Sequence, residues 1–351
     1  MNRSKAYRVG LIGCGRIAKV HGEAIRRVDG LVLGAVCDID DKKSKAFSVL
    51  YNVPGYRDFS RMIKKEQLDI VAIATPNGTH YPIAKGCFEG GFHVLLEKPI
   101  TITNQDAEDL ISVARRKRVH FFAVKQVRYN PSILALKSAI DEGRLGRIFS
   151  ASLVVRWTRS QEYFDQSDWR GTRMLDGGSI LNQGIHYVDV MQWMMGDVKS
   201  IFGKVECFCH KIEIEDSALA LIHFTSGAMG SIEFTINTYP HNLECSLTVL
   251  GDRGSVKLAG SAMNEIAIWE VKDLPMPVIP EGFPPYVYEG GLYQGSCPNH
   301  IYVYQDIVKV LRGEDSTIVD GGEALRSLRI INGLYESAKT GKEVVFQRTE
   351  K

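Results

Sequence analysis

Three places in the 351-residue chain carry residue types at spacings that chemistry can use. The first is Gly13-Cys14-Gly15-Arg16-Ile17-Ala18, a G-x-G-x-x-A run behind an apolar, strand-like stretch at 9–12. Gly13 permits a tight turn, Gly15 lets backbone N–H groups approach a pyrophosphate, and Ala18 allows helix and strand to pack closely. A helix opening at Arg16 and Ile17 offers its positive end to that phosphate. Asp38 closes the next apolar run, 23 residues beyond Gly15. An acid at about that spacing accepts from the adenosine ribose and repels a 2′-phosphate, so NAD is expected over NADP. Asp38 also reads as a cap for the helix that follows it.

The second place is a pair of strand ends, Ala74-Thr75-Pro76-Asn77 and Leu96-Glu97-Lys98-Pro99. Both would lie at the carboxyl edge of a parallel sheet, beside the crevice where ligands bind. On its own, Glu97-Lys98 reads equally as a surface ion pair. The third is a glycine-rich helix from about Asp176 to Met195. It carries Asn182, His186 and Asp189 at i, i+4 and i+7, on one helical face. Such a stripe either lines a site or faces water. Cys207, Cys209 and His210 resemble a metal cluster, but the C-x-C spacing is not that of a zinc site and no second half follows, so no metal is expected.

The surrounding elements must hold these groups. Over the first 125 residues, apolar runs at 7–12, 31–37, 68–74, 92–96 and 119–124 alternate with helix-like stretches at 16–28, 41–50, 81–89 and 103–117. That alternation builds βαβ units, and near-continuous apolar strands fit a sheet covered on both faces. Beyond about residue 145 the pattern becomes strands at 148–157, 201–209, 218–224, 229–238, 243–250 and 255–258, joined by hairpin turns. Helices are expected near 176–195, 299–311 and 322–339, and a Pro-, Gly- and Tyr-rich loop at 272–298. The expected architecture is therefore a Rossmann domain, a doubly wound parallel sheet, at 1–125. At 126–351 an α+β domain follows, a mostly antiparallel sheet with helices.

Composition excludes several classes. Hydrophobic residues make up 44%, charged residues 24%, and the formal net charge is +2. That is an ordinary globular balance, without the field or basic stripe that nucleic acid requires. No apolar run is long enough to span a bilayer, and the polar N-terminal residues do not read as a secretory signal. Seven scattered cysteines read as reduced thiols, so a cytoplasmic protein is expected.

Together, the 13–18 motif, Asp38, Thr75-Pro76-Asn77, Glu97-Lys98-Pro99 and the helix bearing His186 resemble the Gfo/Idh/MocA oxidoreductases over nearly the whole chain. The resemblance implies NAD as cofactor, held by Gly13, Gly15, Arg16, Ile17, Asp38, Thr75, Asn77, His80, Glu97, Lys98 and Gln126. It implies Lys98 and His186 as the catalytic pair over the nicotinamide. It also implies that 126–351 is a substrate-binding and oligomerisation domain whose open, mostly antiparallel sheet carries helices on one face and builds a dimer or tetramer on the other. Many members carry an Asp four residues before the helix His, where this chain has Asn182. Asn takes up no proton at neutral pH, so Lys98 and His186 remain the candidates.

Gln126-Val127-Arg128-Tyr129-Asn130-Pro131, Trp169-Arg170-Gly171 and Asn182-Gln183-Gly184-Ile185-His186 are most similar to the UDP-N-acetylglucosaminuronate 3-dehydrogenases of bacterial surface-polysaccharide synthesis. That resemblance implies oxidation of the sugar C3 hydroxyl, a 3-keto product passed to an aminotransferase, and 2-oxoglutarate as an oxidant that recycles the cofactor in some relatives. The substrate-binding residues would be Lys98, Arg128, Arg156, Arg159, Trp169, Arg170, Asn182 and His186. Arg156, Arg159, Arg170 and Arg173 suit a diphosphate and a carboxylate, or form a solvated loop beside Glu162, Asp165 and Asp168. A free-sugar or inositol-type dehydrogenase and a dinucleotide-sensing regulator of the same fold are the alternatives. His186 is the expected base, its free imidazole pKa being about 6.5. A desolvated, neutral Lys98 would reverse the assignment.

Overall fold

The structure, a computed structural model, describes residues 6–287 and 294–347. The chain groups into two compact units. One runs to Lys125 and takes in His300–Leu325; the other holds Gln126–Asn299 and the chain from Arg326 on.

The first unit alternates strand and helix: β1 (Tyr7–Ile12), α1 (Arg16–Arg27), β2 (Leu31–Cys37), α2 (Asp41–Tyr51), β3 (Gly55–Tyr56), α3 (Phe59–Lys65), β4 (Ile70–Ile73), α4 (His80–Glu89), β5 (His93–Leu96), α5 (Asn104–Lys117) and β6 (Phe121–Ala123). The six strands are all parallel, in the order β3-β2-β1-β4-β5-β6. This is the doubly wound arrangement expected. Ile70, Val71, Ala72, Ile73, Val94, Leu95 and Leu96 are wholly buried, which explains why these strands read as unbroken apolar runs. Strand order reverses at β1, whose neighbours are β2 and β4, so the ligand crevice lies beyond the carboxyl ends of β1 and β4.

The helix starts obey capping chemistry. Asp40, Asp58 and Thr103 accept N–H groups of Lys42, Ser60 and Asp106 at the starts of α2, α3 and α5. In this unit two short elements, β3 and α3, escaped the sequence reading, as did the helices at Pro131–Asp141 and Gln161–Asp165 and the strands at Glu265–Val271 and Val344–Val345 in the other unit. Two residues of strand and seven of helix carry too little periodicity to show.

The second unit contains α6 (Pro131–Asp141), β7 (Ile148–Arg156), α7 (Gln161–Asp165), a π-turn at Ile180–Gly184 running into α8 (Ile185–Met195), and β8 (Val198–Glu206), β9 (Ser217–Phe224), β10 (Met229–Thr235), β11 (Glu244–Gly251), β12 (Gly254–Ala259) and β13 (Glu265–Val271). After α9 (His300–Leu311), α10 (Gly321–Thr340) and β14 (Val344–Val345) close the chain. The eight-stranded sheet runs β13-β12-β11-β7-β10-β9-β8-β14, antiparallel except for the β7–β10 pair. Strand residues alternate buried and open, as in Ser217–Phe224, so one face is covered and the other is not. Met191 of α8 and Leu334 of α10 both press on the covered face, at Gly230 and Gly203. The helices therefore lie on one side, as expected.

One boundary differs from the sequence reading, which assigned 126–351 to a single stretch. Residues 300–325 group with the first unit. Helix α9 buries Val303, Tyr304 and Ile307 completely, and the Tyr7 hydroxyl donates to the Leu311 carbonyl at 2.8 Å. An apolar helix face carries no mark of which core it will join. Of the expected loop at 272–298, residues 288–293 lie outside the described residues.

Candidate active site

The cradle at the end of β1 is built for a dinucleotide. Gly13 has φ +93°, and a Cβ there would lie 2.4 Å from the Ala74 carbonyl oxygen. Above Gly15 the space is open, with nothing within 4 Å of an added Cβ. Gly15 caps α1 without a side-chain hydrogen bond, and no acid sits in the first turn, so the helix end stays electropositive over Arg16 and Ile17. The Asp38 carboxylate accepts the Cys14 N–H and the Asp40 N–H, both at 2.8 Å. It stands at the rim of the cradle with its orientation fixed. The helix cap of α2 is Asp40, not Asp38. These residues fit NAD.

At the neighbouring strand ends, the Thr79 hydroxyl donates to Thr75 Oγ1 at 2.8 Å, and Asn77 is buried in the turn between them. His80 is fully buried. Its Nδ1 lies 2.7 Å from the Pro99 carbonyl and its Nε2 2.9 Å from the Thr75 carbonyl, so it braces two strand ends and turns no ring nitrogen outward. Burial pushes its imidazole down, only partly offset by those two carbonyls. Glu97 is also turned inward: Oε1 accepts from His21 and His300 at 3.0 Å, and Oε2 accepts the Lys98 N–H at 3.1 Å. It is no surface partner for Lys98. Lys98 itself is half-buried, at the strand end where a ligand of the crevice would pass.

In the second unit, the polar stripe does not face water. Asn182, His186 and Asp189 are 6%, 6% and 1% exposed. A π-turn at Ile180–Gly184 feeds α8, a feature frequent at functional sites because it redirects side chains that an ordinary turn would stack. Asn182 Nδ2 donates to Asp176 Oδ1 at 2.5 Å, while Asp176 Oδ2 accepts the Gly171 N–H at 2.8 Å. Asp189 takes a forked pair of bonds from Arg128, at 2.7 and 3.1 Å, and the guanidinium also lies over Trp193. Arg128 therefore braces α8 through a buried ion pair. Gln126 Nε2 donates to Ser296, while its Oε1 is buried with no partner among the described residues.

The arginines separate. Arg159, 2% exposed, lies over Trp157 and Tyr163 and donates to the Gln183 side-chain oxygen at 2.9 Å. Arg170 lies over Tyr163 and Trp169, 5.0 and 4.5 Å from the ring centroids, and donates to Ser167. Guanidinium and aromatic planes thus alternate from Trp157 through Arg159, Tyr163 and Arg170 to Trp169.

Arg156 corrects the sequence reading. It stands on the opposite face of β7 from Val155, paired with Glu233 and Glu244 at 2.6–3.0 Å, whereas α8 packs on the other face. Period-2 alternation sends Arg156 away from His186. Arg173 is exposed and bonded to Glu213. Cys207 and Cys209 are exposed, and the nearby His210 ring bonds to Asp216 and the Arg159 carbonyl. Sequence reasoning missed Asp176, Gln183, His21, His300 and Tyr304. Asp176 and Gln183 stand in the glycine-rich stretch but drew no role, His21, His300 and Tyr304 belong to no spaced motif, and only the fold brings them to their partners.

Comparisons with known proteins follow this geometry. Residues 7–125 match the model for the oxidoreductase family with an NAD-binding Rossmann fold, and residues 133–257 match the GFO/IDH/MocA C-terminal domain. The WlbA dehydrogenase of Bordetella pertussis, crystallised with NADH and UDP-GlcNAcA, is 34% identical over 98% of this chain and 100% of its own, with a TM-score of 0.89. The WlbA dehydrogenase of Chromobacterium violaceum, crystallised with the same two ligands, is 36% identical over 99% and 98%, also at 0.89. D-apiose dehydrogenase of Paraburkholderia graminis is 24% identical over 99% of this chain and 91% of its own.

Proposed function

The chain belongs to the Gfo/Idh/MocA family of NAD-dependent oxidoreductases, and from that premise we propose that it oxidises the sugar C3 hydroxyl of UDP-N-acetyl-glucuronic acid. One observation carries the reading: two solved structures similar to it, at 34% and 36% identity, both hold NADH and UDP-GlcNAcA. The stacked Arg159 and Arg170 support it, because an acidic nucleotide sugar needs cationic, bidentate donors and a free polyol does not.

Bound NAD⁺ supplies the acceptor for the hydride that leaves C3. His186 takes the hydroxyl proton as the C–O bond becomes a carbonyl. The Lys98 ammonium donates to the sugar oxygen and stabilises the negative charge that develops on it. Asn182, tied to Asp176, holds the π-turn that presents His186 and takes no proton itself. The 3-keto product suits an aminotransferase as next enzyme, and 2-oxoglutarate is the oxidant to test for recycling NADH in place. The outer sheet face is the surface for self-association.

Turnover tests the reading. UDP-N-acetyl-glucuronate, UDP-N-acetyl-glucosamine and myo-inositol are each offered with and without 2-oxoglutarate. Removing the sugar carboxylate is expected to cost about 1.5–3 kcal/mol, roughly 10–150-fold in kcat/KM. Lys98→Ala and His186→Ala should each lower kcat on the order of 10²-fold or more with NAD affinity nearly unchanged. Equal turnover of the two nucleotide sugars would remove the carboxylate site, and turnover of inositol alone would make the protein a polyol dehydrogenase.

A further inference from the structure

In the second unit, the Cys207-Phe208-Cys209-His210 run wraps a carboxylate of its own chain. That carboxylate is Asp216, which stands just before β9 and has no solvent exposure. Its Oδ2 accepts the Phe208, Cys209 and His210 N–H groups at 3.1, 2.9 and 3.3 Å. Burial opposes the charge, but the Cys209 and Phe208 N–H groups, with the side chains of Asn237 and His210, outweigh it and hold the carboxyl at about 2. The loop thus has one charged centre, and His210 lays its ring against it with the side chain only 6% exposed.

The ring links that centre to Arg159. Its Nδ1 lies 3.1 Å from Asp216 Oδ2, and its Nε2 lies 2.7 Å from the Arg159 carbonyl oxygen. A carbonyl oxygen only accepts, so Nε2 carries a hydrogen. That holds for a ring with one hydrogen or with two, so the link does not turn on the charge of His210. Phe164 of α7 meets the ring edge to face, with centroids 5.1 Å apart. The Arg159 N–H donates to the Ile236 carbonyl at 2.9 Å. Both backbone polar groups of Arg159 are therefore tied, one to the chain just beyond β10 and the other to His210.

What the link holds in place is a guanidinium. Arg159 lies over Trp157 and Tyr163, 4.9 and 5.6 Å from the ring centroids. One of its nitrogens donates to the Thr158 carbonyl at 2.7 Å and another to Gln183 Oε1 at 2.9 Å. The Gln183 amide in turn donates to the Tyr163 hydroxyl at 2.8 Å. Gln183 belongs to the π-turn that precedes His186. A displaced Arg159 backbone would move the cation off two aromatic faces and away from Gln183 together, since both attractions depend on distance and direction.

We propose that His210 is a positioning residue: anchored on Asp216, it fixes the Arg159 backbone and so sets the Arg159 guanidinium for the acidic part of the substrate. His210 acts through Arg159 and touches no reacting atom. The substrate it serves rests on the proposed oxidation of UDP-N-acetyl-glucuronic acid, whereas its hold on Arg159 does not. Two replacements separate the two bonds of the ring. The amide nitrogen of a glutamine falls where Nε2 lies and keeps a donor for Arg159. That of an asparagine falls where Nδ1 lies and stops short of the carbonyl. In both, the three loop N–H groups still hold Asp216.

The test compares His210→Asn and His210→Gln in the full chain, with UDP-N-acetyl-glucuronate as the varied substrate. His210→Asn is expected to raise KM about 10-fold with kcat and NAD affinity unchanged, as when a buried acceptor loses its donor and only binding suffers. His210→Gln should keep the wild-type KM. In an Arg159→Ala background, His210→Asn should add nothing, because the residue it acts through is gone. A wild-type KM in His210→Asn, an equal loss in His210→Gln, or a further rise in the Arg159→Ala background overturns the proposal. Hydrogen exchange of the Arg159 Nε–H, followed by NMR and assigned with Arg159→Lys, reads the same hold without substrate. It should quicken about 10-fold in His210→Asn and keep the wild-type rate in His210→Gln. An unchanged rate in His210→Asn also overturns the proposal. If the wild type does not turn over UDP-N-acetyl-glucuronate but the exchange rates divide as expected, the substrate reading fails and the hold on Arg159 stands.

Discussion

Single residues decide which cofactor binds and which group carries charge. Asp38 is the clearest case, because its carboxylate already holds the Cys14 and Asp40 N–H groups and cannot turn away from the cradle. A 2′-phosphate would meet a fixed negative charge, whereas two ribose hydroxyls would meet an acceptor. Asp38→Ala is expected to shrink the preference for NAD over NADP by roughly 10-fold, mainly by relieving repulsion of the phosphate. Dissociation constants for both cofactors check this, and an unchanged ratio would take the selectivity away from Asp38. Both the motif and the acid were legible, since their roles depend on local spacing. The positions of Arg156 and Arg159 were only partly legible. They lie three residues apart, yet one pairs with Glu233 on the open sheet face and the other lies over Trp157 and Tyr163.

Secondary-structure elements turn those residues toward a site. The π-turn before α8 begins where the Ile180 N–H donates to Glu215 Oε1 at 2.8 Å, and the Tyr335 hydroxyl donates to the same oxygen at 2.9 Å. Burial, with a smaller contribution from the Asp176 charge, pushes the Glu215 carboxyl up to about 7, against the pull of those donors. A raised acid pKa means that the folded state holds a proton the unfolded chain has released. Stability is then fullest below the ordinary value near 4.5 and is lost as pH rises toward 7, by about 3 kcal/mol. Glu215→Gln, neutral at every pH, should flatten that slope in urea melts taken between pH 5 and 8. A slope unchanged by the substitution would place its source elsewhere. The sequence marked this helix by its glycines and its Asn182–His186–Asp189 stripe. It could not mark the π-turn, which depends on Glu215 and Tyr335 arriving from distant parts of the chain.

At the scale of the whole molecule, the described residues of the second unit leave a sheet face uncovered by its own helices. Phe202 pairs with Leu221 across β8 and β9, and Leu219, Leu221 and Met229 are 61–66% exposed on the face that α8 and α10 do not cover. Exposed apolar side chains in one row favour burial against a second copy, as proposed above. Light scattering after size exclusion should find a dimer or tetramer, and Leu221→Lys should shift it to smaller species without loss of helix or strand by circular dichroism. A monomeric wild type would end that proposal.

The sequence alone determined the parallel sheet, the dinucleotide cradle, the mixed second sheet and the family, because period, capping and glycine placement are local properties that neighbours along the chain enforce. Tertiary structure alone decided that residues 300–325 join the first unit, that Arg156 leaves the site, and that Glu97 turns inward to His21 and His300. The reason is the same in each case. A buried polar group must find its partner wherever the fold supplies one, and His21 and His300, 279 residues apart in the chain, meet on one carboxylate only after α1 and α9 have packed.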